Sequence, residues 1–408
     1  MDDTSQTEPH VSQFRDELRK RPVRKNLQPV REAVRELELN TDATVVQVVG
    51  TNGKGSVVHY LVEYLSRIHD VVHFTSPHLV HPCERIGSNG QSISRNQFSE
   101  LLLELPENYR ENITPFEQLL LMVLHYQQSM DASYLVLEAG MGGRWDATSA
   151  IQADYTVLTA IEREHTQFLG ETEREIVQEK TAQIPPGSTI VTGPMDEDIG
   201  KEVSKTIRER ELTHVEADLK PSMHPLKRAS RTAINVISQF DKNGDCLSEP
   251  VTSVPPGRQE FFKKNERTLF FDVAHTPRAV EASVSTLRHC MEKKTLPGGH
   301  PQAEKFNELD VADSSLIFGC MQGKFHKKLL ERISTIFSED RVVFTRVPSP
   351  RSKDPVELRK QWPDGSPSIE TEPLNAINKL PDRGSEMSLL AVIGSFPLVG
   401  TLRQKITT

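Results

Sequence analysis

Residues 45–56, VVQVVGTNGKGS, constrain the fold more than any other stretch of the chain. The β-branched run Val45, Val46, Val48 and Val49 reads as a buried parallel strand. It breaks into Gly50-Thr51-Asn52-Gly53-Lys54-Gly55-Ser56, and residues 57–65 then read as an amphipathic helix. Strand, glycine-rich loop and helix start together aim backbone N–H groups and a helix N-terminus at a phosphate. Lys54 adds a point charge for β and γ oxygens, and Ser56 offers a hydroxyl to a phosphate or its Mg²⁺. The strict phosphate-loop spacing would put its first glycine at Val48 and the hydroxyl directly after Lys54. Gly55 intervenes here, so the loop is a shortened variant. A glycine turn with an incidental lysine is the competing reading. The agreement of strand, loop and helix in order weighs against it.

The rest of the chain alternates short apolar strands with amphipathic helices. Strands are expected at Val71–Phe74, Tyr134–Glu138, residues 155–161 and Thr189–Thr192. Helices are expected at residues 98–105, Pro115–Met130 and residues 172–182. Asn89-Gly90 marks a hairpin. Residues 14–39 read as helix limited by Pro22 and Pro29, behind a loose tail at residues 1–10. Residues 195–255 carry weak signals, a helix at 229–240 and then a loop at 241–256. A second alternation follows, with strands at residues 268–273, 315–319 and 341–345 and at Leu389–Ile393. Helices are expected through Arg288 and at residues 327–337, and polar residues 293–313 read as an exposed insertion. The pattern predicts an α/β chain of two domains. Residues 1–254 would form a P-loop-type, mostly parallel sheet flanked by helices, and residues 255–408 a smaller Rossmann-like α/β domain. In such sheets ligands gather at the carboxyl ends of strands, where the polar clusters of this sequence fall.

Composition narrows the class. A chain of 408 residues has two or three domains as its prior, and 36% hydrophobic content suffices for their cores. The net charge of −8, with no dense basic block, argues against nucleic acid as a partner. Cys83, Cys246, Cys290 and Cys320 are scattered without a C-x-x-C pair, which fits a reducing cytoplasm rather than a disulfide framework. The acidic, polar start is unlike a signal peptide, and no apolar run approaches a membrane span.

Further candidates stand at strand ends. Glu138 closes an apolar strand, where a carboxylate needs a partner; a hard cation such as Mg²⁺ suits it, and a helix cap or Arg144 would also do. Gly140-Met141-Gly142-Gly143-Arg144 would let backbone approach a ligand, with Arg144 as an anion contact or a plain surface residue. His165, among acidic and polar neighbours, suits metal binding or proton transfer, although a lone histidine is more often structural. Lys180 on its helix reads by itself as a solvated residue. Arg258, Asp272 and His275 open the second domain with charge suited to ATP held between domains, although charge near a linker is common.

Together these residues resemble the folylpolyglutamate synthase/dihydrofolate synthase family, a branch of the Mur ligases. The resemblance rests on GTNGKGS at residues 50–56, TSPHL at 75–79, ERI at 84–86 and LEAGMGGRWDAT at 137–148. It continues through EHTQFLGET at 164–172, EKTAQI at 179–184, PPGR at 255–258, DVAHTP at 272–277 and GSFPLVG at 394–400. It implies a Mur ligase-like fold and a cytoplasmic, monomeric, ATP- and Mg²⁺-dependent ligase of folate biosynthesis and one-carbon metabolism. The reaction implied joins glutamate to a pterin acid or folate through an acyl phosphate. By the same resemblance Gly50, Thr51, Asn52, Gly53, Lys54, Gly55 and Ser56 hold the ATP phosphates. Ser76 and Glu138 hold one Mg²⁺, and Glu138, His165 and a carbamylated Lys180 hold a second. Lys54, His165 and Lys180 become the catalytic set, and Arg258, Asp272 and His275 contact ATP. The family's D-H-T is Glu164-His165-Thr166 here, its Arg before E-R-I is Cys83, and the Asn expected near adenine is Arg228. These departures fall on substrate and adenine contacts rather than on the phosphate loop. A Mur-type ligase for another acid and amine, or a homologue that binds nucleotide without turnover, are the alternatives.

Overall fold

A computed structural model describes residues 4–20, 25–162, 166–193, 195–220, 222–264, 267–309, 311, 314–323, 326–380 and 389–407. The chain forms two units. Met1–Met223 with Arg228–Val251 make the first, and His224–Lys227 with Thr252–Thr408 make the second.

The first unit is built on eight strands: β1 (Thr44–Val49), β2 (Val71–Phe74), β3 (Ile86–Ser88), β4 (Gln91–Ser92), β5 (Tyr134–Glu138), β6 (Tyr155–Leu158), β7 (Thr189–Thr192) and β8 (Thr213–Glu216). Their order is β4-β3-β2-β5-β1-β6-β7-β8. All neighbours from β2 to β8 pair in parallel, and β3 and β4 add an antiparallel hairpin at one edge. The apolar runs that read as buried strands form the middle of this sheet. Strand β1 lies between β5 and β6, with Val48 level with Glu138 on one side and Val157 on the other. The chain leaves β1 to form β2 two places away and returns later to fill the gap with β5. In sheets with such a reversal, ligands bind at the carboxyl ends of the strands.

The second unit adds β9 (Glu260–Lys264), β10 (Arg267–Asp272), β11 (Ser315–Phe318), β12 (Val342–Thr345), β13 (Ser368–Glu370) and β14 (Leu389–Ile393). Their order is β13-β12-β11-β14-β10-β9, parallel throughout except for β9 against β10. The expected α/β class, with two mostly parallel sheets and flanking helices, is therefore the observed one.

Several local expectations are corrected. Residues 1–10 were expected as a loose tail, but the first helix starts at Thr4 and runs to Lys20. Its buried Val11 and Phe14 join the core and anchor it. The second helix, Gln28–Glu36, carries Pro29 in its first turn, where the missing N–H costs nothing. The weak region after residue 195 holds the helix Glu197–Glu209 and edge strand β8. That helix buries only Ile199 and Val203 and covers the rest with charge, and β8 has no alternating apolar face, so neither signals strongly. The described part of residues 293–313, 293–309 and 311, is not an exposed insertion; residues 310, 312 and 313 lie outside the described residues. Leu296, Phe306 and Leu309 lie in the second unit's core, so a few apolar anchors bury a mostly polar segment.

Candidate active site at the phosphate loop

The loop after β1 takes its shape from two glycines. Gly50 has φ +137°, and a Cβ there would lie 1.9 Å from Thr159 Oγ1. Gly53 has φ +89° at the N-cap of the helix Lys54–Leu65. Only glycine adopts both conformations without strain. Thr51 fastens the loop to the segment after β6: its N–H donates to Ala160 O at 2.7 Å, and its Oγ1 accepts from Glu162 N at 3.1 Å. Lys54 Nζ folds over the loop and donates to Gly50 O and Thr51 O, both at 3.2 Å. The helix thus starts with a cation and a row of N–H groups at its positive end.

Neighbouring strand ends bring in oxygen ligands. Glu138, 2% exposed at the end of β5, accepts the Ser76 N–H at 2.9 Å. Ser76 follows β2, the strand beside β5. A buried carboxylate beside a serine is a hard-oxygen set that fits Mg²⁺. Behind Ser76, Glu84 receives three backbone N–H bonds, from Leu79, Val80 and His81 at 2.7–2.9 Å, and so fixes the TSPHL turn.

The glycine loop after β5 is held from both sides. Asp146 Oδ2 accepts from Met141 N and Gly142 N at 3.1 and 2.8 Å. Its Oδ1 accepts from Thr148 N and Thr148 Oγ1 at 3.1 and 2.8 Å. Lys180 is not the solvated helix residue that its own sequence suggests. It is 1% exposed, and its Nζ donates to Gly50 O at 2.9 Å and Met141 O at 2.7 Å. Arg144 pairs with Glu179 at 2.9 Å. A small pocket opens beside this loop, lined by Lys25, Met141, Gly142, Trp145, Phe168 and Glu179, with the Trp145 ring half-exposed.

The structure therefore brings Lys54, Ser76, Glu138 and Lys180 to the carboxyl ends of adjacent strands in the first unit. His165 lies outside the described residues. Among those residues, no group of three His, Cys, Asp or Glu side chains is placed to hold a metal. Lys180 in its amine form presents N–H donors to carbonyls, so a ligand set containing it needs the amine converted to a carbamate. Gln47, Asp146 and Thr148 were not singled out from the sequence. The signal available was a glutamine inside an otherwise apolar strand.

Arg258, Asp272 and His275 all belong to the second unit. Asp272 ends β10, accepting from Ser283 Oγ at 2.7 Å and Ala274 N at 3.2 Å. His275 Nδ1 lies 2.8 Å from Val273 O, and the Arg258 guanidinium stacks 5.3 Å from the centre of the Phe396 ring, which also meets His275 edge-on.

Comparison with known proteins gives this geometry a context. The Mur ligase middle domain matches residues 48–241. A dihydrofolate synthase/folylpolyglutamate synthase of Buchnera aphidicola is 30% identical over 283 residues, covering 63% of this chain and 68% of that protein. The chain belongs to the folylpolyglutamate synthase/dihydrofolate synthase family. Within that family, a probable bifunctional folylpolyglutamate synthase/dihydropteroate synthase of Haloferax volcanii is 25% identical over 95% of this chain. The chain spans about half of that relative's length, 49%. The family fold is also that of the Mycobacterium tuberculosis folylpolyglutamate synthase complexed with ADP and AMPPCP. The two superpose with a TM-score of 0.82 at 21% identity, over 98% of this chain and 99% of that one.

Proposed function

We propose that this chain is an ATP-dependent ligase that joins glutamate to the carboxylate of a pterin acid or folate. The observation that carries the reading is the meeting, at adjacent strand ends, of the Lys54-bearing phosphate loop and the buried Glu138 with Ser76. A carboxylate is a poor electrophile. Transfer of the γ-phosphoryl group to it gives an acyl phosphate, which the amine of glutamate then attacks with loss of phosphate. Such transfer needs positioning and charge neutralisation more than covalent help. Backbone N–H groups of the 50–56 loop would cradle the phosphates, apart from that of Thr51, which holds the loop to Ala160 O, and Lys54 would leave the loop carbonyls for the β and γ oxygens. Ser76 and Glu138 would hold Mg²⁺, which when bound neutralises phosphate charge. A second metal held by Glu138, His165 and carbamylated Lys180 belongs to the same proposal. A carbamate keeps one N–H, so Lys180 would give up one of its two carbonyl bonds.

The pocket at Trp145 suits the acid substrate, because a half-exposed indole beside a glycine floor offers a flat surface to an aromatic ring system. Arg258, Asp272 and His275 are proposed as nucleotide contacts of the second unit. We also propose residues 1–254 and 255–408 as the ATP-binding and C-terminal domains. The protein would work as a cytoplasmic monomer, its four cysteines being free and buried. Among the described residues no helix is long and apolar enough to cross a membrane.

The test is ADP formation from Mg-ATP and glutamate, with dihydropteroate or tetrahydrofolate as acceptor. Turnover that needs both acid and glutamate, and that falls at least about 100-fold in Lys54→Ala, is the expected result. Nucleotide binding without turnover on either acid would overturn the assignment. Turnover with one acceptor, or with both, would assign the protein as a dihydrofolate synthase, a polyglutamate synthase or a bifunctional enzyme.

A further inference from the structure

We propose that Gln47 and Thr148 are positioning residues that close a ring of hydrogen bonds between the phosphate loop and the glycine loop. Through this ring a ligand on one loop stiffens the other. The inference rests on the reading above, in which the first loop serves ATP and the second the acid, and concerns the chain with Lys180 in its amine form, which keeps both carbonyl bonds.

The ring can be followed bond by bond. Gln47, inside β1 and 1% exposed, donates Nε2–H to Thr148 Oγ1 at 2.7 Å. Thr148 Oγ1 donates to Asp146 Oδ1 at 2.8 Å. Asp146 Oδ2 accepts the N–H groups of Met141 and Gly142. Met141 O accepts from Lys180 Nζ, and the same Nζ donates to Gly50 O, at the end of the strand that carries Gln47.

The direction of the bonds is fixed by chemistry. A carboxylate only accepts, so the Thr148 hydroxyl proton points to Asp146 and leaves a lone pair for Gln47. The amide must then present nitrogen to Thr148. Its other end, Oε1, has no hydrogen-bond partner among the described residues, and neither has Thr156 Oγ1, which stands level with Gln47 on β6. An amide buried with half its capacity unmet costs stability. What the fold gains at that position is the bond to Thr148. Every group of the ring is buried or half-buried, so water competes little for these bonds and a shift at Gly50 is carried to Met141.

Backbone hydrogen exchange with Mg-ADP tests the proposal without knowledge of the acid. In the wild-type chain, Mg-ADP should slow exchange at residues 50–56 and also, about 10-fold, at Met141 and Gly142. In Thr148→Val, which breaks the Gln47 arm and leaves the Lys180 bridge, the slowing at residues 141–142 should fall at least about 3-fold while that at 50–56 persists. Mg-ADP affinity should stay within about 3-fold. Thr148→Ser, which keeps the hydroxyl, should restore it. Gln47→Met makes the same comparison should Thr148→Val fail to fold. Slowing confined to residues 50–56 in the wild type overturns the proposal, as does slowing at 141–142 that is undiminished in the variants. A chain that shows the slowing yet turns over no pterin acid keeps the ring and loses the functional reading instead.

Discussion

Asp272 sits 6% exposed at the end of β10, and burial is the largest influence on its carboxyl. Burial pushes the carboxyl up to about 6, against the opposing pull of the Ser283 hydroxyl, the Arg258 charge and backbone N–H groups. The folded state therefore holds this proton more tightly than the unfolded chain, whose carboxyl titrates near 3.8. The resulting stabilisation is full below about 3.8 and is lost as pH rises through about 6. Asp272→Asn removes the charge and keeps the shape. Relative to the wild type, its melting temperature should rise as pH goes from about 4.5 to about 7.5, because only the wild type ionises a buried group over that range. A gap that stays constant with pH would show that Asp272 is not the group that titrates. If Asp272 also accepts a hydrogen bond from nucleotide, Mg-ADP affinity of the wild type should weaken below about pH 6, with no such inflection in Asp272→Asn.

At the scale of elements, the phosphate loop depends on backbone conformation more than on its side chains. Gly50→Ala would place a methyl 1.9 Å from Thr159 Oγ1 at a φ of +137°, so strand end and loop must both shift. Mg-ADP binding should fall at least about 10-fold, and the melting temperature should drop with it, since strain of this kind costs roughly 1–3 kcal/mol. Gly53→Ala, at φ +89° with open space around it, should cost less than Gly50→Ala. The loop was legible because its determinants are local: valines, glycines and a helix start in sequence order. Glu138 was legible for the same reason, a carboxylate ending an apolar strand. Lys180 could not be read this way. A lysine in a helix looks solvated until the fold shows that its ammonium meets two carbonyls from loops 130 and 39 residues away. Segment 293–313 was misread because its polar residues outnumber its anchors, and burial there is decided by Phe306 and its neighbours in space.

At the scale of the molecule, the two units carry separate cores. The cores around β1 and β5 draw on residues up to Leu212, whereas the other begins at Phe261. Each unit also holds one of the two tryptophans: Trp145 beside the glycine loop, and Trp362 packed edge-on against Phe344. Single-tryptophan variants therefore report on one unit at a time. Phe306 is 1% exposed in the second core, and Phe306→Ala removes a buried ring there at a cost of about 3–5 kcal/mol. For a unit of this size that lowers the melting temperature by roughly 10 °C. In a Trp145→Phe background, Trp362 emission should show that drop. In a Trp362→Phe background, Trp145 emission should hold its transition within about 2 °C, because changes in independent cores do not couple. Equal shifts in both reporters would mean that the cores unfold as one, and the division at residues 251 and 252 would then be one of geometry rather than of stability.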